Sequence, residues 1–394
     1  MSLLTRYILS ELLKVLLLTL TGLTVLIMVV LVGWEAIRQG LGLGPVLRLV
    51  PYALPQSLCF SVPGTVLFAA CMVYGRMSAA NEIVVLKSLG LSPHKAIMPG
   101  VWLALGLSCL GVFLNDVAFS WGYHGLHRVV IQSAEEIAYG VLRTQRTYST
   151  DRFSISVKDV EGKQLLRPTI IFAGGAGNQP VTITAQEARL ASNLEKSTLS
   201  IFLTDGIVEV GDKISMVFPG TIERVIPLAD ASRRGVSSSP SHMSLRQIPQ
   251  AARDQRKKIS NLEQAQAAQA AFALASGDFG ALSEGHWQGY RSEVEWAEAH
   301  LNRLHTEPWR RSASGFSCLC FMCVGAPLAI LRRHGDFMTN FFWCFFPILI
   351  GYYPLFLASL DFAKGGDAPA YMVWSGNVAC LLVGAWLMRK VVRH

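Results

Sequence analysis

The chain has 394 residues, of which 51% are hydrophobic and only 16% charged, and its mean hydropathy is +0.37. A water-soluble globular chain is usually less apolar than this, so the excess is expected to face lipid. The net charge of +8 does not indicate nucleic-acid binding, because the basic residues lie largely at the ends of apolar runs. We therefore interpret the chain as a membrane protein whose charge reflects its topology.

Six apolar segments are long enough to cross a bilayer, for which a helix needs roughly 20 residues. They form two groups of three on either side of the more polar residues 119–311. The predicted fold class is therefore a polytopic α-helical membrane protein with six transmembrane helices, three before and three after an inserted domain. The segments are Leu12–Gly33, Pro51–Tyr74, Ala96–Ala118, Ser312–Leu331, Phe341–Leu360 and Tyr371–Met388.

The distribution of Lys and Arg predicts the orientation of these helices, since short cytoplasmic connections carry an excess of both residues. With a cytoplasmic N-terminus, three basic residues lie in the outer connections, namely Arg38, Arg48 and Lys364. Ten lie in the inner ones, so both termini are expected in the cytoplasm and the inserted domain on the far side. The ten are Arg6, Lys14, Arg76, Lys87, Lys95, Arg332, Arg333, Arg389, Lys390 and Arg393.

The inserted domain begins with a β-strand pattern. Apolar and polar residues alternate over 153–158 and 181–185, as in half-buried strands. Further short runs, among them Thr198–Thr204 and Ile207–Val210, are separated by turn signals such as Asp205-Gly206. Short strands at this spacing favour a sandwich or a jelly roll.

Beyond the strands, a Ser-rich stretch at Arg233–Ser244 indicates a linker, and Leu245–Leu304 has a helical composition with a break near Gly277–Gly285. The sequence thus predicts four parts. They are residues 1–118 with the first three spans, 119–244 with the β-rich domain, 245–311 with a helical return to the membrane, and 312–394 with the last three spans.

No catalytic motif is found. The sequence contains no Walker motif, no HExxH and no GxSxG. His300 and His305, with Glu298 and Glu307 nearby, have ligand-type side chains, but a solvated helix face is the favoured interpretation. We therefore expect a protein that is not an enzyme and has no cofactor.

The eight cysteines all lie in apolar runs. Three of them, Cys318, Cys320 and Cys323, are spaced like metal ligands, but they lack a nearby second pair and lie on a predicted membrane helix. We favour the interpretation that these cysteines are small apolar side chains that fill space between helices, and no metal site is expected.

The connection between the second and third apolar segments predicts a short helix. Ser78 has the side chain of an N-cap, Glu82 would occupy the first turn, and Gly90 is placed to end the helix. Ser92 and Pro93 then begin the next helix.

This short helix is expected to lie along the inner membrane face, with Ile83 and Leu86 turned inward and polar groups available to a cytoplasmic partner. Such a helix can transmit force. An ordinary amphipathic helix at the interface is the alternative.

Together with its neighbourhood, this connection resembles the cytoplasmic segment of the LptF/LptG permeases, formerly YjgP/YjgQ, which export lipopolysaccharide. The resemblance covers essentially the whole chain and is carried by the order of several short motifs. These are Arg6-Tyr7-Ile8-Leu9, the segment 75–93 followed by Pro99, Leu301-Asn302-Arg303-Leu304 with Pro308, Gly325-Ala326-Pro327-Leu328-Ala329, and Tyr352-Tyr353.

The resemblance implies a permease subunit of an ABC transporter that extracts lipopolysaccharide or a similar glycolipid from the bacterial inner membrane. Its implied partners are a second permease of the same family, two copies of a cytoplasmic ATPase of the LptB type, and a periplasmic bridge protein with a jellyroll domain like the one expected here. By the same analogy residues 76–90 form the coupling helix. Its candidate contact residues are Arg76, Asn81, Glu82, Lys87 and Gly90, with Glu82 matching the acidic residue that faces the ATPase.

The resemblance also suggests where glycolipid is held. Trp34 and Arg38 are candidates for the mouth of a cavity, with Arg38 as a phosphate partner; snorkelling of Arg38 to the interface is an equal alternative. Candidate walls of the cavity are Phe60, Tyr352 and Tyr353, and candidate lining residues of the jellyroll are Leu190, Ile201 and Leu203.

In the family, several basic residues often stand at the outer end of the first helix, where this chain has Trp34, Glu35 and Arg38. Three other classes of protein compete with the glycolipid permease. The first is an ABC permease of the lipoprotein-release type, which generally has four helices, and the second is a membrane-anchored scaffold that contacts no ATPase. The third is a membrane-embedded hydrolase, which would need ionisable groups within the bilayer, where the sequence has very few.

Overall fold

The computed structural model describes residues 3–39, 43–132, 134–149, 153–162, 164–172, 181–193, 198–210, 214–227, 239–277, 284–332 and 337–393. The chain divides into two compact units. The helical unit contains Met1–Ile27, Leu54–Trp121 and Pro240–His394, and the sheet unit contains Met28–Ala53 and Gly122–Ser239.

Helices make up most of the described residues. They are α1 (Leu3–Gln39), α2 (Leu43–Ala79), α3 (Glu82–Ser88), α4 (Pro93–Val117), α5 (Tyr123–Gln132), α6 (Ala134–Gln145), α7 (Ile248–Ser276), α8 (Glu284–Leu331), α9 (Phe337–Pro347), α10 (Tyr353–Gly365) and α11 (Ser375–Arg393). Short 3₁₀ turns cover Pro240–His242 and Ala370–Trp374, and π-helical turns cover Ala118–Gly122 and Ile348–Tyr352.

Among the described residues, six helical segments are long and apolar enough to cross a membrane, which confirms the six-helix prediction. Three precede and three follow the strands. They are span 1 (Leu3–Ile37), span 2 (Gly44–Ala79), span 3 (Pro93–Leu126), span 4 (Gly289–Leu331), span 5 (Met338–Gly365) and span 6 (Ala370–Arg393). Each is longer than its apolar segment in the sequence, because helical hydrogen bonding continues into flanking residues that hydropathy does not mark.

The π-helical turn Ile348–Tyr352 divides span 5 just before Pro354. A proline has no amide hydrogen for the carbonyl four residues earlier, and its ring crowds that carbonyl. The wider π turn accommodates this defect. It fixes the position of Tyr352, one of the candidate cavity residues.

Small residues allow the helices of the helical unit to approach closely, as is common for helices in membranes. At Gly315 in α8, an added Cβ would lie 2.6 Å from the amide nitrogen of Val112 in α4. At Gly384 in α11, it would lie 2.8 Å from the carbonyl oxygen of Cys323 in α8. Helix α8 is therefore held directly against both α4 and α11.

The described part of the sheet unit contains eight antiparallel strands in one sheet, curled into a half-barrel. The strands are β1 (Thr147–Ser149), β2 (Phe153–Ser156), β3 (Asp159–Glu161), β4 (Gln164–Leu166), β5 (Thr169–Phe172), β6 (Val181–Asn193), β7 (Thr198–Val210) and β8 (Ile214–Pro227). The first half of β6 pairs with β5, its second half with β4, and its other edge with β7. An inserted β-rich domain was expected from the sequence, and the sheet confirms it.

The expectation of a turn at Asp205-Gly206 is wrong. Strand β7 continues through this dipeptide with a bulge, because the register with β8 shifts between Thr204 and Gly206. Asp205 has a positive φ of 47°, and its Oδ1 accepts a hydrogen bond from Gly220 N at 2.8 Å. An added Cβ at Gly206 would meet the carbonyl oxygen of Thr184, so close backbone approach explains the glycine.

The chain after the sheet re-enters the helical unit at Pro240. Residues 233–238 of the predicted linker lie outside the described residues. Helix α7 ends at Ser276, where Gly277 adopts a left-handed conformation with φ 72°, in agreement with the predicted helix break. The side-chain amide of Gln255 in α7 donates to Ala297 O in α8 at 3.0 Å, so the two helices pack together.

Candidate functional site

The short helix α3 lies between spans 2 and 3, but it begins later than the sequence suggested. Ser78 is not its N-cap, because Ser78 belongs to α2 and its buried hydroxyl donates to Ile330 O of α8 at 2.8 Å. Asn81 occupies the cap position with φ 59° and makes no side-chain cap bond. The prediction for Ser78 is wrong because a free carbonyl in the last turn of a neighbouring helix satisfies its hydroxyl.

The end of α3 follows the sequence closely. Gly90 has φ 77°, and its amide donates to Lys87 O at 2.9 Å, while the amide of Leu91 donates to Leu86 O at 3.0 Å. This pair of bonds is a Schellman motif, for which a residue with positive φ is needed. Ser92 then caps α4, since its side chain accepts from His94 N at 3.4 Å.

Helix α3 has one buried and one exposed face. Ile83 is buried and Leu86 packs beside it on the core of the helical unit, as the sequence predicted. On the opposite face Val85 is 56% exposed and Leu89 is 70% exposed. The sequence interpretation expected polar groups there and missed this i, i+4 apolar pair, whose spacing is the signal that could have found it.

The charged residues around α3 have different environments. Glu82 is half-exposed in the first turn. Arg76, at the end of α2, donates from Nη2 to Glu11 Oε2 of α1 at 2.7 Å, with its own side chain 55% exposed. Lys87 is half-buried, and its Nζ donates to Val391 O in the last turn of α11 at 2.9 Å. Two of the five candidate contact residues thus bind other helices of this chain.

The candidate cavity residues do not share one environment. Within the sheet unit, Trp34 is 70% exposed on α1, and the side chain of Arg38 lies outside the described residues. Within the helical unit, Phe60 and Tyr353 are exposed. Tyr352 is only 5% exposed and therefore belongs to the core.

The burial of Tyr352 has a clear packing cause. Its ring makes an edge contact with Phe321 of α8, with centroids 5.2 Å apart, and stacks on Phe356 of α10 at 5.9 Å. Aromatic contacts of this geometry stabilise a helix interface. Of the two adjacent tyrosines, Tyr353 is the one at the surface in this conformation.

The three candidate lining residues of the sheet, Leu190, Ile201 and Leu203, are all buried. They form one apolar cluster with Tyr139 and Leu142 of helix α6. The Tyr139 hydroxyl accepts a hydrogen bond from Leu190 N at 2.9 Å. Helix α6 therefore covers this part of the sheet, and the apolar face is filled by side chains of the same chain.

A group of charged residues that sequence reasoning missed lies inside the helical unit. Arg311 of α8 is fully buried, and its Nη1 donates to Asp116 Oδ1 of α4 at 2.7 Å. Its Nη2 donates to the carbonyl oxygens of Ser241 at 3.1 Å and Met243 at 2.6 Å. The sequence analysis began span 4 at Ser312 and so treated Arg311 as a residue outside the membrane.

Glu307 completes this group. It is 3% exposed, forms an ion pair with Arg310 at 2.8 Å, and accepts from the Ser241 hydroxyl at 2.8 Å. Its Oε2 also lies 3.5 Å from Arg311 Nε. The interpretation of Glu307 as part of a solvated face is wrong, because two arginines and a hydroxyl satisfy it internally. We call Asp116, Glu307, Arg310 and Arg311 the charge cluster.

Among the residues that the structure describes, no three His, Cys, Asp or Glu side chains are grouped so as to hold a metal ion. What the described residues do define is a multi-pass membrane protein with three spans on each side of an antiparallel sheet and a short helix between spans 2 and 3.

Residues 6–390 match the family profile described as "Lipopolysaccharide export system permease LptF/LptG". The chain therefore belongs to the LptF/LptG family, a family of transport permeases that serve lipopolysaccharide export. As a permease of an ABC export system, it works with partner subunits. A comparison with individually curated proteins gives no significant match.

Proposed function

We propose that this chain is one permease subunit of an ABC transporter that extracts lipopolysaccharide or a similar glycolipid from the inner membrane and passes it to a periplasmic bridge. The observation that carries the proposal is the family match over residues 6–390, combined with an exposed α3 between spans 2 and 3. The chain performs binding and mechanical work, and ATP is hydrolysed in a separate subunit.

The proposed orientation places α3 and both termini in the cytoplasm and the sheet in the periplasm. It is supported by the excess of Lys and Arg in the connections on the α3 side. In this orientation α3 is the coupling helix. Val85 and Leu89 would enter an apolar groove of an LptB-type ATPase dimer, and Glu82 would pair with a basic residue at its rim.

The proposed substrate path begins in a cavity that this chain encloses with a second permease of the family. Trp34 and Arg38 stand at its mouth, with Arg38 binding a phosphate, and Phe60 and Tyr353 contribute apolar wall. Tyr352 is buried behind this wall, and its packing holds Tyr353 and the π turn in place.

The sheet would then receive the acyl chains and hand the lipid to the jellyroll domain of a bridge protein. Leu190, Ile201 and Leu203 line it once α6 is displaced, because α6 now covers them. Helices α7 and α8 carry the chain back to the membrane.

The experiment is to co-express the chain with its ATPase and second permease, purify the complex, and measure ATPase retention and ATP-dependent lipid release from membranes. Mass spectrometry of the bound lipid identifies the substrate. We expect Glu82→Ala to fold and insert normally, because a carboxylate in the first turn of a surface helix contributes only about 0.3–1 kcal/mol through the helix dipole.

Glu82→Arg should assemble poorly or release no lipid, because it places two like charges at the contact. Normal lipid release by Glu82→Arg would contradict the coupling role of α3. A chain that copurifies with no ATPase would instead favour a membrane-anchored scaffold.

A further inference from the structure

We propose that Lys87 is a positioning residue that ties α3 to α11, which is packed against α8, so that a displacement of α3 moves these two helices as one body. The inference rests on the proposed function, in which α3 receives the ATPase. It assigns to Lys87 a role inside the chain and not at the ATPase contact.

The contact itself is well suited to carry force. The Nζ of Lys87 donates to Val391 O at 2.9 Å, and Val391 lies in the last turn of α11. Carbonyls of a last turn have no amide donor within the helix and carry partial negative charge, so an ammonium group binds them favourably. Lys87 is half-buried and the side chain of Val391 is buried, which keeps water from competing fully for this bond.

A second hydrogen bond attaches the chain just before α3 to α8. Ser78, at the end of α2 just before α3, donates from its buried hydroxyl to Ile330 O, in the last turn of α8, at 2.8 Å. Ser78, which precedes α3, and Lys87, in the last turn of α3, are therefore hydrogen-bonded to the last turns of α8 and α11, respectively.

Helices α8 and α11 are in turn joined along their length. Near the α3 side, Gly384 brings the backbone of α11 against Cys323 O of α8. One turn further, Cys380 Sγ donates to Cys320 O at 3.6 Å. Further on again, Asn377 Nδ2 donates to Ala313 O at 2.9 Å from a fully buried side chain. Backbone contact and buried hydrogen bonds leave this pair little freedom to slide.

The far end of the pair adjoins the charge cluster. Trp374 Nε1, at the start of span 6, donates to Ser312 Oγ at 3.3 Å. The preceding residue, Arg311, binds the carbonyls of Ser241 and Met243 in the segment that returns from the inserted domain. A continuous series of contacts thus runs from Lys87 to residues 241–243, which is the kind of packed network that can carry coupling between distant sites.

The contact between Arg76, which precedes α3, and Glu11 of α1 is weaker than these buried hydrogen bonds. Arg76 and Glu11 form an ion pair at 2.7 Å, but the Arg76 side chain is 55% exposed. Exposed pairs contribute little and are screened by salt. Movement of α3 is therefore transmitted to α8 and α11 in preference to α1.

The test uses the reconstituted complex with Lys87→Met, which keeps the length of the side chain but removes the donor. We expect the variant to retain the ATPase and to hydrolyse ATP, while ATP-dependent lipid release falls roughly fivefold or more, the range of typical coupling effects. Lys87→Arg should restore most of the release, because it keeps a donor. Lys95→Met is the matched control, since Lys95 is an exposed lysine at the start of α4.

A distance measurement tests the tie directly. Spin labels introduced as non-natural residues at Ser88 and Val392, both exposed, report the separation of α3 from the end of α11. The separation should stay constant through the ATP cycle in the parent protein and vary in Lys87→Met. A parent protein in which it changes with nucleotide would overturn the tie.

Wild-type lipid release by Lys87→Met would also overturn it. If Glu82→Arg still blocks release in that case, only the role of Lys87 is lost and the proposed function stands. If Glu82→Arg releases lipid normally as well, α3 is not the coupling helix and both proposals fail.

Discussion

Arg311 Nη1 lies 2.7 Å from Asp116 Oδ1, and the bond joins span 4 to span 3 although the arginine side chain is fully buried. Four more groups of the same neighbourhood satisfy Arg311 or its partners. They are the Glu307 carboxylate, the Ser241 hydroxyl and the carbonyls of Ser241 and Met243. A buried charge persists only when it is paired in this way.

Arg311→Met should therefore be strongly destabilising. It breaks the buried ion pair with Asp116, whose Oδ1 keeps the amide of Leu245 as a donor, and it removes the donor from the Ser241 and Met243 carbonyls. A broken buried pair of this kind costs about 3–5 kcal/mol. Arg311→Lys should rescue little, because one ammonium cannot reproduce the planar fork of a guanidinium. Thermal unfolding of the detergent-purified protein measures the effect. Arg303→Met, at an exposed position of the same helix, is the control and should melt like the parent protein.

Gly384→Ala tests the close packing of α8 and α11. Its Cβ would stand 2.8 Å from Cys323 O, a backbone atom that cannot rotate away, so the helices must separate at a cost of about 1–3 kcal/mol. Gly106→Ala is the matched control, because an added Cβ there meets nothing within 4 Å. Equal melting temperatures for the two variants would contradict the backbone contact.

The two faces of α3 should respond differently to the same substitution. Leu89→Ser should leave the protein folded but reduce retention of the ATPase, because the side chain is 70% exposed and available to a partner. Ile83→Ser should lower the melting temperature, since it places a hydroxyl in the core without a partner. Copurification and thermal unfolding of both variants separate the effects. Undiminished ATPase retention by Leu89→Ser would remove the apolar face from the proposed contact.

The sheet should accept acyl chains only after α6 moves. A photo-crosslinking residue at Ile201 or Leu203 should capture glycolipid when ATP and all partners are present, and Tyr139→Phe should increase capture. The reason is that the Tyr139 hydroxyl accepts a hydrogen bond from Leu190 N at 2.9 Å, which attaches α6 to the sheet. Phenylalanine has no hydroxyl and cannot make this bond. If no lipid is captured with ATP and partners present, the residues form an ordinary core.

The proposed orientation makes a separate prediction. A reporter active only in the cytoplasm should work when fused after His394 or inserted at Gly335, and should fail after Asn178. The distribution of Lys and Arg provides the reason. Activity at Asn178 would invert the orientation of every span.

The sequence by itself determined the six spans and the presence of strands, although it did not predict α5 and α6 and placed a turn inside β7. Apolar length predicted six spans, alternation at 153–158 predicted strands, and Gly90 with Ser92 predicted where α3 ends and α4 begins. These features depend on neighbouring residues alone, because hydrophobic periodicity and capping are local properties of the chain. Ile83 and Leu86 were placed correctly for the same reason.

Only the tertiary structure decided what the polar groups bind. Ser78 has the side chain of a cap but donates to Ile330 O, Lys87 was a candidate ATPase contact but binds Val391 O, and Arg311, which was placed outside span 4, binds Asp116. Ile330, Val391 and Asp116 each lie far in the sequence from the residue that they bind, so no local pattern encodes these pairings. The cost of burying an unpaired polar group selects these partners only once the helices have packed.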